Sequence, residues 1–230
     1  MTKILTNYLI FIISIILNVT AFALSKEAQI KSAFVIDYES KILHITIENA
    51  DLLDKLTMFP NLEELKISCL EDLKILPKTI GDLKNLKYLN IDNGNGCVMN
   101  VSLPENIINL KKLQKLKLYG AVDNRDFNNV KVPRAVFPKT MFKMTWIKSL
   151  DLGRNGFDKI PGFVFSLSSL EELYFDFNDL KTLPDSISQL KKLKKITLGD
   201  NYKITLCKKE KERLKRRFPK IIFDFENEYD

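Results

Sequence analysis

Apolar positions repeat with a fixed period between residues 147 and 201. Ile147, Leu170 and Leu193 open successive units that are 23 residues apart. Behind each opener the apolar positions first alternate with polar ones, as expected for a strand with one buried face. The alternating pairs are Leu150 and Leu152, Leu173 and Phe175, and Ile196 and Leu198. An asparagine follows at one fixed offset in each unit: Asn155, Asn178 and Asn201. Such a period predicts a solenoid of stacked strand-and-turn units.

The same pattern extends, less regularly, into the first half of the chain. Seven openers can be counted: Ile42, Leu62, Leu86, Leu113, Ile147, Leu170 and Leu193. The first strand is predicted from Ile42, Ile45 and Ile47. With this register, the polar positions between the leucines form columns on the solvent face of the sheet, and the first column starts with His44, Glu64 and Tyr88. The repeat domain is predicted to span residues 42–206.

Two of the units are longer than the others. The third and fourth exceed the 23-residue step by 4 and 11 residues. The surplus falls in residues 92–102 and 119–136, which are polar and rich in turn-forming residues. Because both segments leave their strands at the same point, they are expected side by side at one edge, and insertions in repeat arrays often mark a binding face. The alternative is that extra loop residues are tolerated at little cost.

A family resemblance rests on the two most regular units. The string LxxLxLxxN is followed there by Ile160-Pro161 or Leu183-Pro184, and then by Val164 or Ile187. This motif resembles the leucine-rich repeat of the bacterial, 23-residue LPxxI type. The resemblance implies an α/β fold, a leucine-rich repeat solenoid or horseshoe. Its parallel strands would line the concave side, with short helical or irregular segments on the convex side.

The resemblance also implies a structural role for the asparagine column. In the family the matching side chain hydrogen-bonds backbone groups of neighbouring turns, so Asn155, Asn178 and Asn201 are expected to form a ladder. The earlier repeats depart from this pattern, with other residues at the same offset: Ala50, Leu70, Gly94 and Ala121. The first half must therefore satisfy its turns in another way.

The N-terminus has the layout of a secretory signal. A short basic start, an apolar run from Tyr8 to Leu17 and small residues near Ala23 predict a signal peptide over residues 1–23. An uncleaved anchor is the alternative, but polar residues interrupt the run, which falls short of the roughly 20 apolar residues that span a bilayer. Residues 24–41 are predicted to be an N-terminal cap on the first repeat.

Residues 207–230 are predicted to cap the other end. Lys208–Arg217 is a charged helix candidate, and Phe218, Ile222 and Phe223 supply apolar side chains to seal the last repeat. A second interpretation makes this basic helix a patch for anionic glycan or membrane. The whole chain carries a formal charge of +7, with 29 acidic and 36 basic residues, so most of its surface is mixed in charge.

The three cysteines leave two interpretations open. Cys69 and Cys97 follow strands of neighbouring repeats, so a disulfide between them is compatible with the predicted geometry. Alternatively, these two and Cys207 are three small buried apolar residues.

Catalysis is poorly supported by the sequence. His44 is the single histidine, so any histidine-dependent triad or histidine-rich metal site would have to include it. The chain has no CxxC, no HExxH and no glycine loop of the kind that cradles phosphate. Neither an enzyme activity nor a cofactor nor a metal site is expected.

The sequence favours an exported binding protein. Exposed aromatic and charged side chains on the concave face and beside the inserted loops are the predicted contact region for a protein partner. These residues are Tyr88, Asn90, Asp92, Lys115, Lys117, Tyr119, Asp151, Arg154, Tyr174, Asp176 and Phe177. The partner could be a host protein or another envelope protein, with the chain secreted, periplasmic or on the cell surface. Binding of nucleic acid, or stable membrane insertion after signal cleavage, is not expected.

Overall fold

The computed structural model describes residues 41–46, 53, 56–68, 73–92, 100–122 and 136–226. The predicted signal peptide, the N-terminal cap apart from Lys41, and both Cys69 and Cys97 lie outside these ranges. Most of the two inserted segments also lie outside them. The signal peptide, the N-terminal cap and the disulfide therefore stay predictions.

One parallel sheet of eight strands runs through the described residues, in chain order from β1 to β8. The strands are β1 (Ile42–Thr46), β2 (Glu64–Ser68), β3 (Tyr88–Asp92), β4 (Lys115–Tyr119), β5 (Ser149–Asp151), β6 (Glu172–Tyr174), β7 (Lys195–Thr197) and β8 (Ile222–Asp224). Consecutive strands are neighbours because each repeat supplies one strand, and the chain then returns to place the next strand beside it. The seventh repeat is followed by an eighth strand from the C-terminal segment.

A short 3-10 helix lies on the opposite side of each of the middle repeats. The five helices are Lys78–Asp82, Glu105–Asn109, Lys139–Lys143, Gly162–Ser166 and Asp185–Gln189. A proline precedes every one of them: Pro77, Pro104, Pro138, Pro161 and Pro184. Proline suits this position because a helix start has no intrahelical acceptor for the N–H that proline lacks. The LP pair of the motif therefore marks where each helix begins.

The core lies between the strands and the 3-10 helices. The inward residues of strands β2 to β7 are 0–1% exposed: Leu65, Leu89, Leu116, Leu150, Leu173 and Ile196. Four phenylalanine rings contact one another in the later repeats. Their stack runs from Phe163 to Phe137 at 4.8 Å, then to Phe157 at 6.3 Å and on to Phe175 at 5.7 Å between ring centroids.

The strand register agrees with the sequence prediction from β2 onward and differs at β1. Glu64, Tyr88, Lys115, Ser149, Glu172 and Lys195 pair in one row, as the columns predicted. In β1, however, Ile42 pairs with Glu64, and His44 pairs with Lys66. The predicted pairing of His44 with Glu64 is wrong by two residues. A slip of two residues keeps every side chain on the same face, so alternation alone cannot detect it.

Each repeat is joined to the preceding one by a carbonyl that accepts two backbone N–H groups. The N–H groups of Lys87 and Tyr88 both donate to the Glu63 carbonyl, at 2.7 and 3.1 Å. The same arrangement recurs at Lys41, Lys87, Gln114, Lys148 and Glu171. This shared acceptor fixes the start of each strand on its neighbour.

The asparagine side chains hydrogen-bond the backbone of two repeats at once. The Asn178 amide nitrogen donates to the carbonyls of Leu152, Phe175 and Asp176 at 3.0–3.1 Å. Its Oδ1 accepts from the N–H groups of Asn155 and Phe157 at 3.2 and 2.9 Å. Asn155 and Asn201 make equivalent bonds, and all three asparagines are buried. In the fourth repeat, where Ala121 stands, the next N–H of Val122 donates to Asn155 Oδ1.

The residue before each asparagine position has a left-handed backbone. Arg154, Phe177 and Asp200 have φ of 57°, 54° and 51°, and Gly120 before Ala121 has φ of 61°. Side chains with a Cβ atom pay a steric penalty in this region. These four left-handed residues show that the chain turns sharply after β4 to β7. The hydrogen bonds of the asparagine side chains stabilise these turns.

The C-terminal segment packs on the sixth and seventh repeats. Helix α1 (Tyr202–Thr205) is followed by α2 (Lys208–Arg217), whose Leu214 is buried. The Arg213 guanidinium contacts Glu210 and the hydroxyl of Thr182, at 2.8 Å each. Phe218 and Phe223 seal the core as predicted, but Ile222 is 67% exposed, because it follows the solvent-facing row of the sheet. Cys207 is exposed and free, so it is not a buried apolar residue.

Replacing Asn178 by alanine is expected to destabilise the fold. The substitution leaves the buried N–H groups of Asn155 and Phe157 without their acceptor, whereas the three carbonyls keep other donors. Each unsatisfied N–H group costs about 1–3 kcal/mol. We expect the free energy of unfolding, measured by urea denaturation, to fall by roughly 2–4 kcal/mol. Asn109→Ala, at an exposed position of a 3-10 helix, is the matched control. An equal and small effect of both variants would contradict a structural role for Asn178.

Candidate functional site

A groove of about 310 Å³ lies on the solvent face of strands β3 to β6. We refer to it as the strand-face groove. Its lining residues are Tyr88, Lys115, Leu116, Lys117, Tyr119, Ser149, Asp151, Glu172, Tyr174, Asp176 and Phe177. All come from the alternate positions of the strands or from the turns that follow, apart from Leu116, which belongs to the buried row.

Small residues between larger ones create the depression. Ser149 stands in one row between Lys115 and Glu172. Gly153 lies just after the end of β5. A Cβ atom at this position would lie 2.8 Å from the Tyr119 ring. Tyr119 therefore lies directly over Gly153, and any side chain at position 153 would displace the tyrosine.

Tyr119 and Phe177 form one end of the groove. Their rings meet edge to face, with centroids 6.3 Å apart and an interplanar angle of 84°. The two residues lie two repeats apart, so the contact bridges the intervening unit at Gly153. Phe177 is held there by its left-handed backbone, with φ of 54°. A bulky aromatic residue is a rare occupant of this conformation.

A lysine and an aspartate pair across the centre of the groove. Lys117 Nζ lies 3.7 Å from Asp151 Oδ2 and 5.0 Å from the centroid of the Tyr119 ring. Asp151 Oδ1 also accepts the N–H of Gly153 at 2.8 Å. These contacts fix the rotamers of both charged side chains before any partner arrives.

Burial dominates the environment of the Asp176 carboxyl group. Burial raises its pKa to about 6, against hydrogen bonds that act in the opposite direction. Those bonds come from the Thr197 hydroxyl and from the N–H of Gly199, the latter at 2.6 Å. The charge of Asp151 raises the pKa slightly further. The protonation of Asp176 therefore changes in the weakly acidic range.

Tyrosines flank the charged centre on both sides. The Tyr174 hydroxyl donates to Glu172 Oε2 at 3.2 Å, and Lys195 Nζ lies 5.6 Å from the Tyr174 ring centroid. On the opposite side, burial raises the pKa of Tyr88, and the nearby carboxylate of Asp151 raises it further. Tyr88 therefore stays a neutral phenol that can donate a hydrogen bond.

Comparison with known proteins agrees with this architecture. A family model described as Leucine rich repeat matches residues 146–202. A solved structure, the leucine-rich repeat domain of the type III effector XopL, superposes with a TM-score of 0.52 at 17% identity, covering 79% of this chain and 59% of that one. The fold is a leucine-rich repeat solenoid.

Two curated proteins are similar to the leucine-rich repeat region in sequence. TMV resistance protein N of Nicotiana glutinosa is 30% identical over 145 residues, which is 63% of this chain. The volume-regulated anion channel subunit LRRC8A of Homo sapiens is 28% identical over 170 residues, which is 71% of this chain. The chain spans only 12% and 19% of the length of these two relatives.

Eight of the eleven predicted contact residues line the groove, and three do not. Asn90 and Asp92 lie on β3 and Arg154 lies in the turn after β5, outside the lining. Asn90 is only 6% exposed, and its Oδ1 is among the buried oxygens that have no hydrogen-bond partner. Its row position on the solvent face predicted exposure, which is wrong: Asn90 is buried in the row between the longer residues Lys66 and Lys117.

Sequence reasoning missed three lining residues, Leu116, Ser149 and Glu172, as well as the role of Gly153. Ser149 and Glu172 stand in the first solvent-facing row, where alternation places them. Gly153 lies between the larger residues Tyr119 and Asp176, in a row that also contains Gly199. A glycine in that row was the available signal for a depression.

Several basic side chains of helix α2 make contacts within the protein. Arg217 pairs with Asp185 at 3.1 Å, and Arg213 with Glu210 at 2.8 Å. Lys211 and Lys215 lie over the Phe225 ring. The remaining exposed cations lie mainly at the start of the helix and just before it. Among the described residues, no helix is long and apolar enough to cross a membrane.

Replacing Asp176 by asparagine is expected to change the pH dependence of stability. A carboxyl group whose pKa rises from 3.8 to about 6 on folding binds its proton more tightly in the folded protein. Stability contributed by this group is therefore present at low pH and is lost as the pH rises from about 4 to 6. We expect Asp176→Asn to gain stability relative to wild type over this range, with a slope of at most about 1.4 kcal/mol per pH unit.

Thermal denaturation from pH 4 to 8, with wild type and Asp176→Asn side by side, measures this difference. Asp158→Asn, at an exposed position outside the groove, serves as control. A constant difference between wild type and Asp176→Asn across the range would contradict a raised pKa at Asp176.

Proposed function

We propose that this chain is an exported, non-enzymatic leucine-rich repeat protein that binds a protein partner through the strand-face groove. The observation that carries the proposal is the aromatic end of the groove. Phe177 keeps a left-handed backbone that costs about 1–2 kcal/mol for a residue with a Cβ atom, and its ring is used to meet Tyr119 in a half-exposed position. The turn requires a left-handed residue at this offset, as at Arg154 and Asp200, but it does not require an aromatic one. The aromatic ring at the surface, rather than the strain itself, is what favours a contact surface.

The side chains of the groove have the properties of an interface centre. Tyrosine provides a large contact area with few rotatable bonds, and a rigid sheet presents Tyr88, Tyr119 and Tyr174 at fixed spacing. The pair of Lys117 and Asp151 is already formed, so binding does not have to order it. A partner would therefore bury aromatic surface against a set of charges that select its orientation.

Further parts of the proposal concern the source and location of the protein. The LPxxI form of the repeats supports a bacterial origin, and the apolar N-terminal segment supports export to the periplasm, the cell surface or the medium. A host protein is one candidate partner. The fold similarity to the repeat domain of a type III effector is compatible with that candidate. The two inserted segments follow β3 and β4, the strands of Tyr88 and Tyr119, and would extend the same surface.

Loss of the groove tyrosines is expected to abolish partner capture. The triple variant Tyr88/Tyr119/Tyr174→Ala removes the aromatic area but none of the leucines of the core. Immobilised wild type and variant would be incubated with host and envelope extracts, and proteins retained at about 0.5 M salt would be identified and then titrated in purified form. We expect the affinity of the triple variant to be at least about 100-fold lower, since interface hot spots, among which tyrosine is enriched, cost about 2 kcal/mol or more when truncated.

Phe142→Ala provides the matched control for capture. Phe142 is 53% exposed on a 3-10 helix, on the side of the solenoid opposite the strands. Retention of the same partner by wild type, the control and the triple variant would remove the groove from consideration. A partner released by moderate salt from all three proteins would point to electrostatic binding instead.

Phe177→Gly separates binding from folding. Glycine relieves the left-handed strain, which offsets the loss of the edge-to-face contact worth about 0.5–1.5 kcal/mol. We expect the free energy of unfolding to change by no more than about 1 kcal/mol, while affinity for the partner falls about tenfold. Chemical denaturation and calorimetric titration measure the two quantities. A large loss of stability with unchanged affinity would show that Phe177 is structural.

A further inference from the structure

A second exposed surface lies at the C-terminal end of the solenoid, away from the strand-face groove. Helix α1 is a single turn, in which the Leu206 N–H donates to the Tyr202 carbonyl at 3.1 Å. This spacing places the side chains of Tyr202 and Leu206 on one side of the turn. Tyr202 is 65% exposed and Leu206 is 82% exposed, whereas Ile204 on the other side is fully buried. The turn therefore anchors itself by one apolar residue and presents two others to the solvent.

Three exposed lysines lie close in sequence to the two exposed apolar side chains. Lys203 lies between them in sequence, and Lys208 and Lys209 follow directly at the start of α2, all three exposed. No acidic residue occurs from Asn201 to Lys209. We refer to Tyr202, Lys203, Leu206, Lys208 and Lys209 as the C-terminal knuckle.

Three acidic groups lie close in sequence to the knuckle. Glu210, the first carboxylate after it, is held by Arg213 and Thr182, which lower its pKa. Glu212 is exposed on the next turn, and Asp200 precedes α1. Arg213 and Arg217 bind the sixth repeat, so they do not add to the free charge. Two exposed apolar side chains and three exposed lysines therefore occur within residues 202–209.

An anionic membrane surface fits this combination better than a soluble polyanion does. A polyanionic glycan would use the lysines but would leave Leu206 in water. In a lipid interface the leucine side chain enters the acyl boundary, the tyrosine ring lies at the level of the headgroups, and lysine side chains extend to the phosphates. Charge complementarity and the exposed leucine therefore point to the same occupant.

We propose that the C-terminal knuckle binds peripherally to membranes that contain anionic lipid, with Leu206 and Tyr202 inserted and Lys203, Lys208 and Lys209 on the lipid phosphates. The contact does not depend on a partner in the strand-face groove. It would hold the solenoid by one end and leave the groove free.

Co-sedimentation with vesicles tests the charge and the insertion separately. The full chain would be mixed with vesicles of phosphatidylcholine alone, or of phosphatidylcholine and phosphatidylglycerol in equal parts. Each lysine near an anionic surface contributes about a fivefold factor in partition, so Lys208/Lys209→Ser is expected to bind the anionic vesicles about 25-fold less well than wild type. Leu206→Ser is expected to bind them about tenfold less well.

Matched controls make the same chemical changes elsewhere on the solenoid. Lys139/Lys143→Ser removes two exposed lysines of a 3-10 helix in the fourth repeat. Ile75→Ser removes an exposed aliphatic side chain of similar size, 57% exposed. Both control variants are expected to bind as wild type does.

Fluorescence quenching reports membrane contact of the knuckle itself. Binding of the N-terminal apolar segment, which all variants share, would therefore not be mistaken for it. The chain has a single tryptophan, Trp146, whose indole N–H is bound to the Leu110 carbonyl. Anionic vesicles with brominated acyl chains are expected to quench the added emission of Leu206→Trp and to leave wild-type emission unchanged.

Three results would overturn the proposal. Absence of quenching of Leu206→Trp by brominated lipid would show that the knuckle does not enter the membrane. Equal quenching of wild type would assign the contact to another part of the chain. Binding to heparin that is as tight as binding to anionic vesicles, and unaffected by Leu206→Ser, would identify the surface as a site for soluble polyanions.

Discussion

The asparagine ladder is the interaction on which the rest of the solenoid depends. Each strand must end in a sharp turn, and the carbonyls of that turn point inward where water cannot reach them. One amide group, such as that of Asn178, satisfies carbonyls of its own turn and of the preceding one, and accepts two N–H groups as well. The left-handed residue stands directly before it. The ladder therefore also sets where Arg154 and Phe177 lie, and it links the stability of the core to the shape of the groove.

Much of the fold was predictable because its period is long and its apolar rows are regular. The strands β2 to β7 and their register followed from the leucine positions, and the LP pairs marked the starts of the 3-10 helices. The register of β1 could not be fixed, since a two-residue slip leaves its alternation unchanged. Ile222 was expected in the core, but it continues the solvent-facing row that includes Glu64 and Lys195.

The groove was harder to predict than the fold, for a physical reason. The position of a residue in the repeat predicts which face of the sheet its side chain points to. It does not predict how exposed the side chain is, because exposure depends on the sizes of its neighbours in adjacent repeats. Asn90 is buried although it stands on the solvent face, and Gly153 makes room for a ring that belongs to another strand. The left-handed backbone before each of these asparagine positions had only a weak signal in the sequence. Gly120 and Asp200, residue types that tolerate positive φ, stand at the same offset as Phe177.

The shared backbone acceptors have a consequence for how such a chain can change in length. Each unit is attached to its neighbour through main-chain groups, at Glu63, Lys87, Gln114 and their equivalents, which do not depend on side-chain identity. Duplication or deletion of one complete unit would leave every remaining acceptor with its two donors. Recombination between units can therefore lengthen or shorten the solenoid in whole steps, and selection can then alter the solvent-facing rows of one unit without repairing the others.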